Sequence, residues 1–324
     1  MPVLNMINRD IFERKTFLVT GGAGFIGSHI VEALLLLGGS VVVMDDLSNG
    51  RLENLNGLKS DRLRVLDGDV RSFELDNLGI LDGIFNEAAR ALIPSFYDPF
   101  TDLAVNAGGT IRLLDYARRK NVKMIHASSG SIYGNPISIP ITENHPLNPI
   151  SPYGASKLCS EVYCLMFNRE FGVDVTMLRY FNVYGPRQTV SEEMGVIPIF
   201  VKRALEKHQL TIFGDGKQTR DFLNVRDVVN ANLLAFCSSK GKGNYMNIGG
   251  GGNEISILDL AELVMELCGF RTPVKFDAAK PGDIRRLMAD NSRAKDLIEY
   301  VPVVSLKEGL AEYIEYFRQK NQSQ

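Results

Sequence analysis

The chain has 324 residues and a net charge of −2, from 36 Lys+Arg against 38 Asp+Glu, with 45 % hydrophobic and 23 % charged residues. That balance excludes a disordered chain, which would be apolar-poor, and a protein whose affinity rests on neutralising nucleic-acid phosphates. The longest apolar stretch, residues 30–37, is interrupted by Glu32 and falls well short of the ~20 residues of a membrane span.

Residues 1–15 mix Arg9, Asp10, Glu13, Arg14 and Lys15 with scattered apolar side chains. They read as an N-terminal extension without the continuous apolar core of a signal peptide. Residues 16–20 (TFLVT) form a first strand, and a glycine cluster leads into a helical stretch over 25–37 that Gly38-Gly39 ends. Further strands are expected at 41–44, 63–66, 83–86 and 122–127, with a long helix at 103–120 between the last two. A helix at 153–171 and a sixth strand at 173–179 follow. Strands alternating with helices of this length predict βαβ units: an α/β, Rossmann-type doubly wound parallel sheet. Past Gly185-Pro186 the strands shorten (210–213, 245–248, 274–276) between helices at 196–207, 225–238, 257–267, 292–297 and 306–318. We therefore expect a dinucleotide-binding domain over 16–185 and a smaller C-terminal α/β substrate lobe over 186–324. About two domains suit this length. Cys159, Cys164, Cys237 and Cys268 form no CxxC pair, and the four histidines show no ligand spacing. The expectation is no metal site, no disulfide framework, and a reducing, cytoplasmic compartment.

The run Thr20-Gly-Gly-Ala-Gly-Phe-Ile-Gly27 leaves a strand and opens a helix. Gly21, Gly24 and Gly27 allow a tight turn, close approach of backbone to a pyrophosphate, and a helix lying close on its strand. The second strand ends in Asp45, 18 residues after Gly27, where a carboxylate accepts from ribose hydroxyls and repels a 2′-phosphate. This favours NAD over NADP. Asp69, after the third strand, is placed either to bond an adenine edge or to cap the next helix.

Tyr153 and Lys157 are four apart and share one helix face, and Ser129 ends the fifth strand, at the carboxyl edge where such sheets bind ligands. A phenol becomes a base near neutrality only if its pKa drops from ~10 toward 7, about 4 kcal/mol. An ammonium ~5 Å away would supply ~3 kcal/mol at an effective dielectric of 20. The expectation is that Lys157 covers most of that shift, while Ser129 shares the proton of the reacting hydroxyl.

With TGGAGFIGSH, DDLSNG (45–50), SSGSIYGN (128–135), SPYGASK (151–157), LRYFNVYGPRQ (178–188), FGDGKQTRDF (213–222) and KPGDIRRLMAD (280–290) in this order, the chain resembles the extended short-chain dehydrogenase/reductase family, and within it the nucleotide-sugar 4-epimerases. The resemblance implies that Gly21, Gly24, Phe25, Ile26 and Gly27 hold the NAD pyrophosphate. It implies that Asp45 and Asn49 hold the adenosine ribose, Asp69 and Val70 the adenine, and Ala88, Asn106, Tyr153, Lys157 and Tyr180 the rest of the cofactor. On the substrate side it implies Ser129, Ser131, Tyr153, Asn182, Val196, Ile212, Phe213, Arg220, Lys280 and Asp283. Asn182 and Arg220 would face the diphosphate of a UDP-sugar, and Ile212-Phe213 its base.

Dehydratases of this family carry an Asp-Glu pair where this chain has Gly130-Ser131, uronate decarboxylases usually carry Glu at the Ser131 position, and uronate 4-epimerases usually replace Asn182. The resemblance thus implies inversion at C4 of a UDP-hexose, plain or N-acetylated. In that reaction Tyr153 takes the C4 hydroxyl proton, the C4 hydride passes to NAD, and it returns to the other face of a 4-keto sugar. A decarboxylase, uronate 4-epimerase, dehydratase or reductase on the same scaffold is the alternative. Leu287 stands at the position that gates a 2-acetamido group. Lys280 for the usual Arg, and Glu87 and Arg90 near the cofactor, depart from the pattern. A homodimer through a four-helix bundle of 101–120 and 153–171 is also implied.

Overall fold

The computed structural model describes residues 7–58, 60–189, 195–252, 254–279 and 284–322. Its frame follows from alternation along the first strands. Phe17 and Val19 enter one core while Leu18, between them, enters another; Val41 and Val43 join the first core, Val42 and Met44 the second. Successive side chains of a strand point to opposite faces, so a sheet apolar at every position must be covered on both sides.

The strands Thr16–Thr20, Ser40–Asp45, Leu63–Asp67, Gly83–Asn86, Lys123–Ser129 and Val175–Tyr180 lie parallel in the order third, second, first, fourth, fifth, sixth. The chain steps out from the first strand in both directions, which opens a crevice at the carboxyl ends of the first and fourth strands. Helices Phe25–Leu36 and Val225–Cys237 pack together on one face, and Thr110–Lys120 and Pro152–Phe171 on the other.

Two elements differ from expectation. Tyr245–Ile248, expected in the C-terminal lobe, is the seventh strand of the main sheet, paired parallel with Val175–Tyr180. The passage expected near residue 185 is therefore crossed more than once, with 225–248 returning to cover and extend the sheet. A short run with three apolar residues around Asn247 specifies a buried strand but not its neighbour. The helix expected over 103–120 is broken into Pro99–Leu103, a π-helical turn Ala104–Gly109, and Thr110–Lys120. Gly109 lies where an added Cβ would meet Val70 Cγ1 at 2.5 Å, so the helix packs closely on the segment that follows the third strand, and a larger residue there would force the Val70 side chain to shift.

The remaining chain packs around Ile197, Phe200, Val201, Leu260, Val264, Tyr313 and Ile314. A small sheet sits beside that core. Thr219–Asp221 pairs with Glu254–Ser256 on one side and Arg286–Leu287 on the other, which places Leu287 opposite Arg220.

Candidate active site

The glycine turn is shaped by close approach. Gly21 has φ +64°, and a Cβ there would stand 2.8 Å from Ala88 N; one on Gly27 would stand 2.2 Å from Gly21 O. The helix Phe25–Leu36 begins at Gly24 with no side-chain cap, so its first N–H groups and the positive end of its dipole face the crevice. This suits a pyrophosphate. The crevice holds about 390 Å³ and is lined by Gly21, Gly24–Gly27, Asp45, Asn49, Asp69, Val70, Ala88 and Tyr153 among others, so most of the expected cofactor residues converge there.

Asp45 is buried, and its two oxygens accept from Ala23 N and Leu47 N, both at 2.9 Å. It fastens the glycine turn to the second strand, and its remaining lone pairs face the crevice. Burial pushes its pKa up, and the bonds from Leu47 and Ala23 hold it back. Asp69 is engaged by Arg71, whose Nε and Nη2 meet its carboxylate at 2.6 to 3.0 Å. Those bonds hold its pKa down. Arg71 lines the crevice too; only its place two residues after Asp69 could have flagged it.

Tyr153 sits in the first turn of Pro152–Phe171, which Ser151 caps through Gly154 N and which carries Pro at its start. Tyr153 N donates to Ser95 Oγ at 3.1 Å. Lys157 is 2 % exposed, its Nζ donates to Ala127 O at 2.9 Å, and it lies 5.9 Å from the centre of the Tyr153 ring. Ser129 Oγ accepts from Ser131 N and donates to Ser131 Oγ, both at 3.1 Å. The three expected catalytic side chains thus meet at one end of the crevice.

Their electrostatics differ from expectation. Burial pushes Tyr153 up to about 12, Ser129 beside it counters part of this, and Asp102 and Glu87 add to it. Burial also lowers Lys157 to about 8, against the opposing pull of Glu87 and Asp102. Lys157 does not by itself prepare Tyr153 as a base, because the desolvation that would strengthen its field falls on both groups.

Asn106 is turned away from the crevice. It is 1 % exposed, its Oδ1 accepts from Arg90 N, and its Nδ2 donates to Asp102 Oδ1 and Ser156 Oγ, all at 2.9 Å. Its part is to tie the turn after the fourth strand to the helix of Tyr153. A second buried string runs beneath: Thr20 donates to Asn86, and His126 lies between Asn86 Nδ2 at 3.0 Å and Ser160 Oγ at 2.9 Å. Burial and the nearby Lys157 keep His126 neutral. Lys157 and Tyr180 stand behind the crevice lining rather than in it.

The expected substrate residues converge elsewhere. Asn182, Val196, Ile212, Phe213 and Arg220 line a second cleft of about 290 Å³. Asn182 has φ +39° and its Nδ2 donates to Asp221 O at 3.2 Å. Arg220 Nη1 donates to Thr219 O at 2.8 Å. Ser131 stays with Ser129 at the Tyr153 end. Lys280 and Asp283 lie outside the described residues.

Residues 17–249 match the model of the NAD dependent epimerase/dehydratase family. The chain is 41 % identical over 314 residues to the UDP-glucose 4-epimerase of Mycolicibacterium smegmatis, covering 94 % of this chain and 99 % of that one. Among solved structures, the UDP-glucose 4-epimerase of Thermotoga maritima with UDP-glucose superposes with TM-score 0.89 at 38 % identity, covering 94 % and 99 % of the two chains. The UDP-N-acetylglucosamine 4-epimerase of Methanobrevibacter ruminantium, in complex with UDP-N-acetylmuramic acid, gives 0.91 at 34 % identity, covering 95 % and 99 %. With the glycine turn, the acid closing the second strand and Tyr153 lining one crevice, and Lys157 directly behind Tyr153, this chain belongs to the NAD-dependent epimerase/dehydratase family, and NAD is its cofactor.

Proposed function

We propose that the protein is an isomerase that inverts C4 of a UDP-hexose, UDP-glucose/galactose or an N-acetylated counterpart, with NAD retained between turnovers. The observation that carries this reading is the convergence of Tyr153, Lys157 and Ser129 at the end of the dinucleotide crevice, without an acid at position 130 or 131 to expel water or assist loss of carbon dioxide. Bound NAD supplies a reversible hydride acceptor and a positive charge beside the phenol. The residues of this chain do the rest. Tyr153 Oη exchanges the proton of the C4 hydroxyl, Ser129 Oγ orients that hydroxyl, and Lys157, held by Ala127 O, adds positive charge behind the ring. In the second cleft, Asn182 and Arg220 take the diphosphate, for which a guanidinium fork is matched in shape and charge, and Ile212-Phe213 the base. The purified chain is incubated with UDP-glucose, UDP-galactose, their N-acetylated forms and UDP-glucuronate, and products are followed by NMR. Inversion at C4 of a UDP-hexose is expected; no inversion, or decarboxylation of the uronate alone, overturns the reading.

The same reading includes a homodimer. Phe96, Tyr97, Phe100 and Leu103, and Val162 on the neighbouring helix, are 49 to 85 % exposed, a density of large apolar side chains that a monomer rarely shows to water. Light scattering should give twice the chain mass. A reducing, cytoplasmic setting agrees with four cysteines that are all unpaired.

A further inference from the structure

The turn leaving the fourth strand, Glu87-Ala-Ala-Arg90, lines the dinucleotide crevice, and no step assigned above uses Glu87. Its carboxylate is held at the Tyr153 end. Tyr180 Oη donates to Glu87 Oε1 at 2.9 Å, and Asn232 Nδ2 donates to the same phenolic oxygen at 2.8 Å. The string Asn232, Tyr180, Glu87 therefore runs its donors in one direction and ends on an acceptor that needs no proton of its own. Several ionisable groups face it. Tyr180 comes from the sixth strand, and Lys157 and Tyr153 from the helix Pro152–Phe171, with Asp102 acting on the same pair. Arg90 is on its own turn, with its backbone N tied to Asn106.

We propose that Glu87 makes this crevice discriminate between the two oxidation states of the dinucleotide, holding the oxidised pyridinium form in preference to the reduced one. The proposal rests on NAD lying in the crevice with its reactive ring toward Tyr153. The oxidised ring carries a positive charge that the reduced ring lacks. Lys157, a buried cation at that end, by itself disfavours the oxidised form. A carboxylate in the same wall reverses that preference, and because Glu87 is half-buried its charge is felt more strongly than in bulk solvent. Glu87 is suited to this at neutral pH. Burial pushes its pKa up to about 7, with the bond from Tyr180 and the charge of Lys157 limiting the rise. The preference should therefore grow as pH rises through 7. A reaction that returns its cofactor to the oxidised state in every turnover gains from this, because a cofactor left reduced after loss of the keto intermediate is a dead end.

The full chain is equilibrated with mixtures of NAD and NADH between about pH 5.5 and 7, a full unit below the pH of about 8 at which Lys157 is half deprotonated. The bound composition is read by absorbance and NADH fluorescence. In the wild type the bound NAD:NADH ratio should rise several-fold across this window. Glu87→Gln should flatten the rise and lower the ratio about tenfold at the upper end, roughly one pKa unit of charge interaction. Tyr180→Phe keeps the carboxyl but removes its donor, and should move the rise to higher pH. A Glu87→Gln protein that binds both dinucleotides with the wild-type ratio at every pH overturns this proposal alone. A wild-type protein that binds neither overturns the NAD assignment and the proposal with it.

Discussion

Arg179 and Glu161 form a two-pronged ion pair, Nε to Oε1 at 2.9 Å and Nη2 to Oε2 at 2.7 Å, with both side chains at most 2 % exposed. Glu161 lies one helical turn beyond Lys157, and Arg179 adjoins Tyr180 on the sixth strand, so the pair locks the catalytic helix onto the sheet. Arg179 Nη1 also donates to Tyr133 Oη at 2.6 Å, and its guanidinium lies 4.1 Å from the centre of the Tyr245 ring. Removing one partner strands a buried charge, which costs about 3–5 kcal/mol. Glu161→Ala and Arg179→Met should each lower unfolding free energy by that amount in urea titrations. The double variant should lose less than the sum.

Lys157 sets activity against stability. Its lowered pKa, about 8 against 10.5 unfolded, means that the folded state bears a charge it disfavours by about 3 kcal/mol at pH 7. Between pH 8 and 10.5 the unfolded chain binds more protons than the folded one, so stability rises with pH across that window. Lys157→Met should abolish that rise. It should also gain roughly 1 kcal/mol at pH 7 after the loss of the bond to Ala127 O, and lower C4 inversion by about 10²–10⁴. Denaturation curves at pH 7, 8.5 and 10 check the first two.

Tyr153→Phe keeps the ring and removes the proton carrier. The backbone bond from Tyr153 N to Ser95 is untouched, so NAD binding and thermal midpoint should stay near wild type while turnover falls about 10²–10⁴-fold. Rate measurements beside a binding titration separate the two.

Gly27→Ala tests the turn. Its new Cβ would sit 2.2 Å from Gly21 O, a backbone atom that cannot swing aside. The loop must open, at a cost of about 1–3 kcal/mol, and NAD affinity should fall by at least about tenfold. Equal affinity would show that the dinucleotide does not rest on this turn.

Arg220→Ala should raise the KM for the UDP-sugar by about 10–100-fold, the range of a charge-assisted hydrogen bond, with kcat close to unchanged. A fall in kcat alone would place Arg220 in the chemistry rather than in diphosphate binding.

The parts legible in the sequence are those governed by local rules. The runs at 16–20, 41–44 and 83–86 gave the strands because all their positions but Thr16 are buried, and the spacing of Gly21, Gly24 and Gly27 gave the turn because the approach of Gly27 to the Gly21 carbonyl lies within one short segment. The four-residue step from Tyr153 to Lys157 is helix geometry. What local rules could not reach was decided by which strands became neighbours. Tyr245–Ile248 joined the main sheet, Asn106 turned inward, Arg71 took the oxygens of Asp69, and Glu87 met Tyr180 across 93 residues. The largest difference concerns charge. One helical turn places Lys157 beside Tyr153, but whether the ammonium makes the phenol acidic depends on how much water both have lost, and only the packed interior sets that.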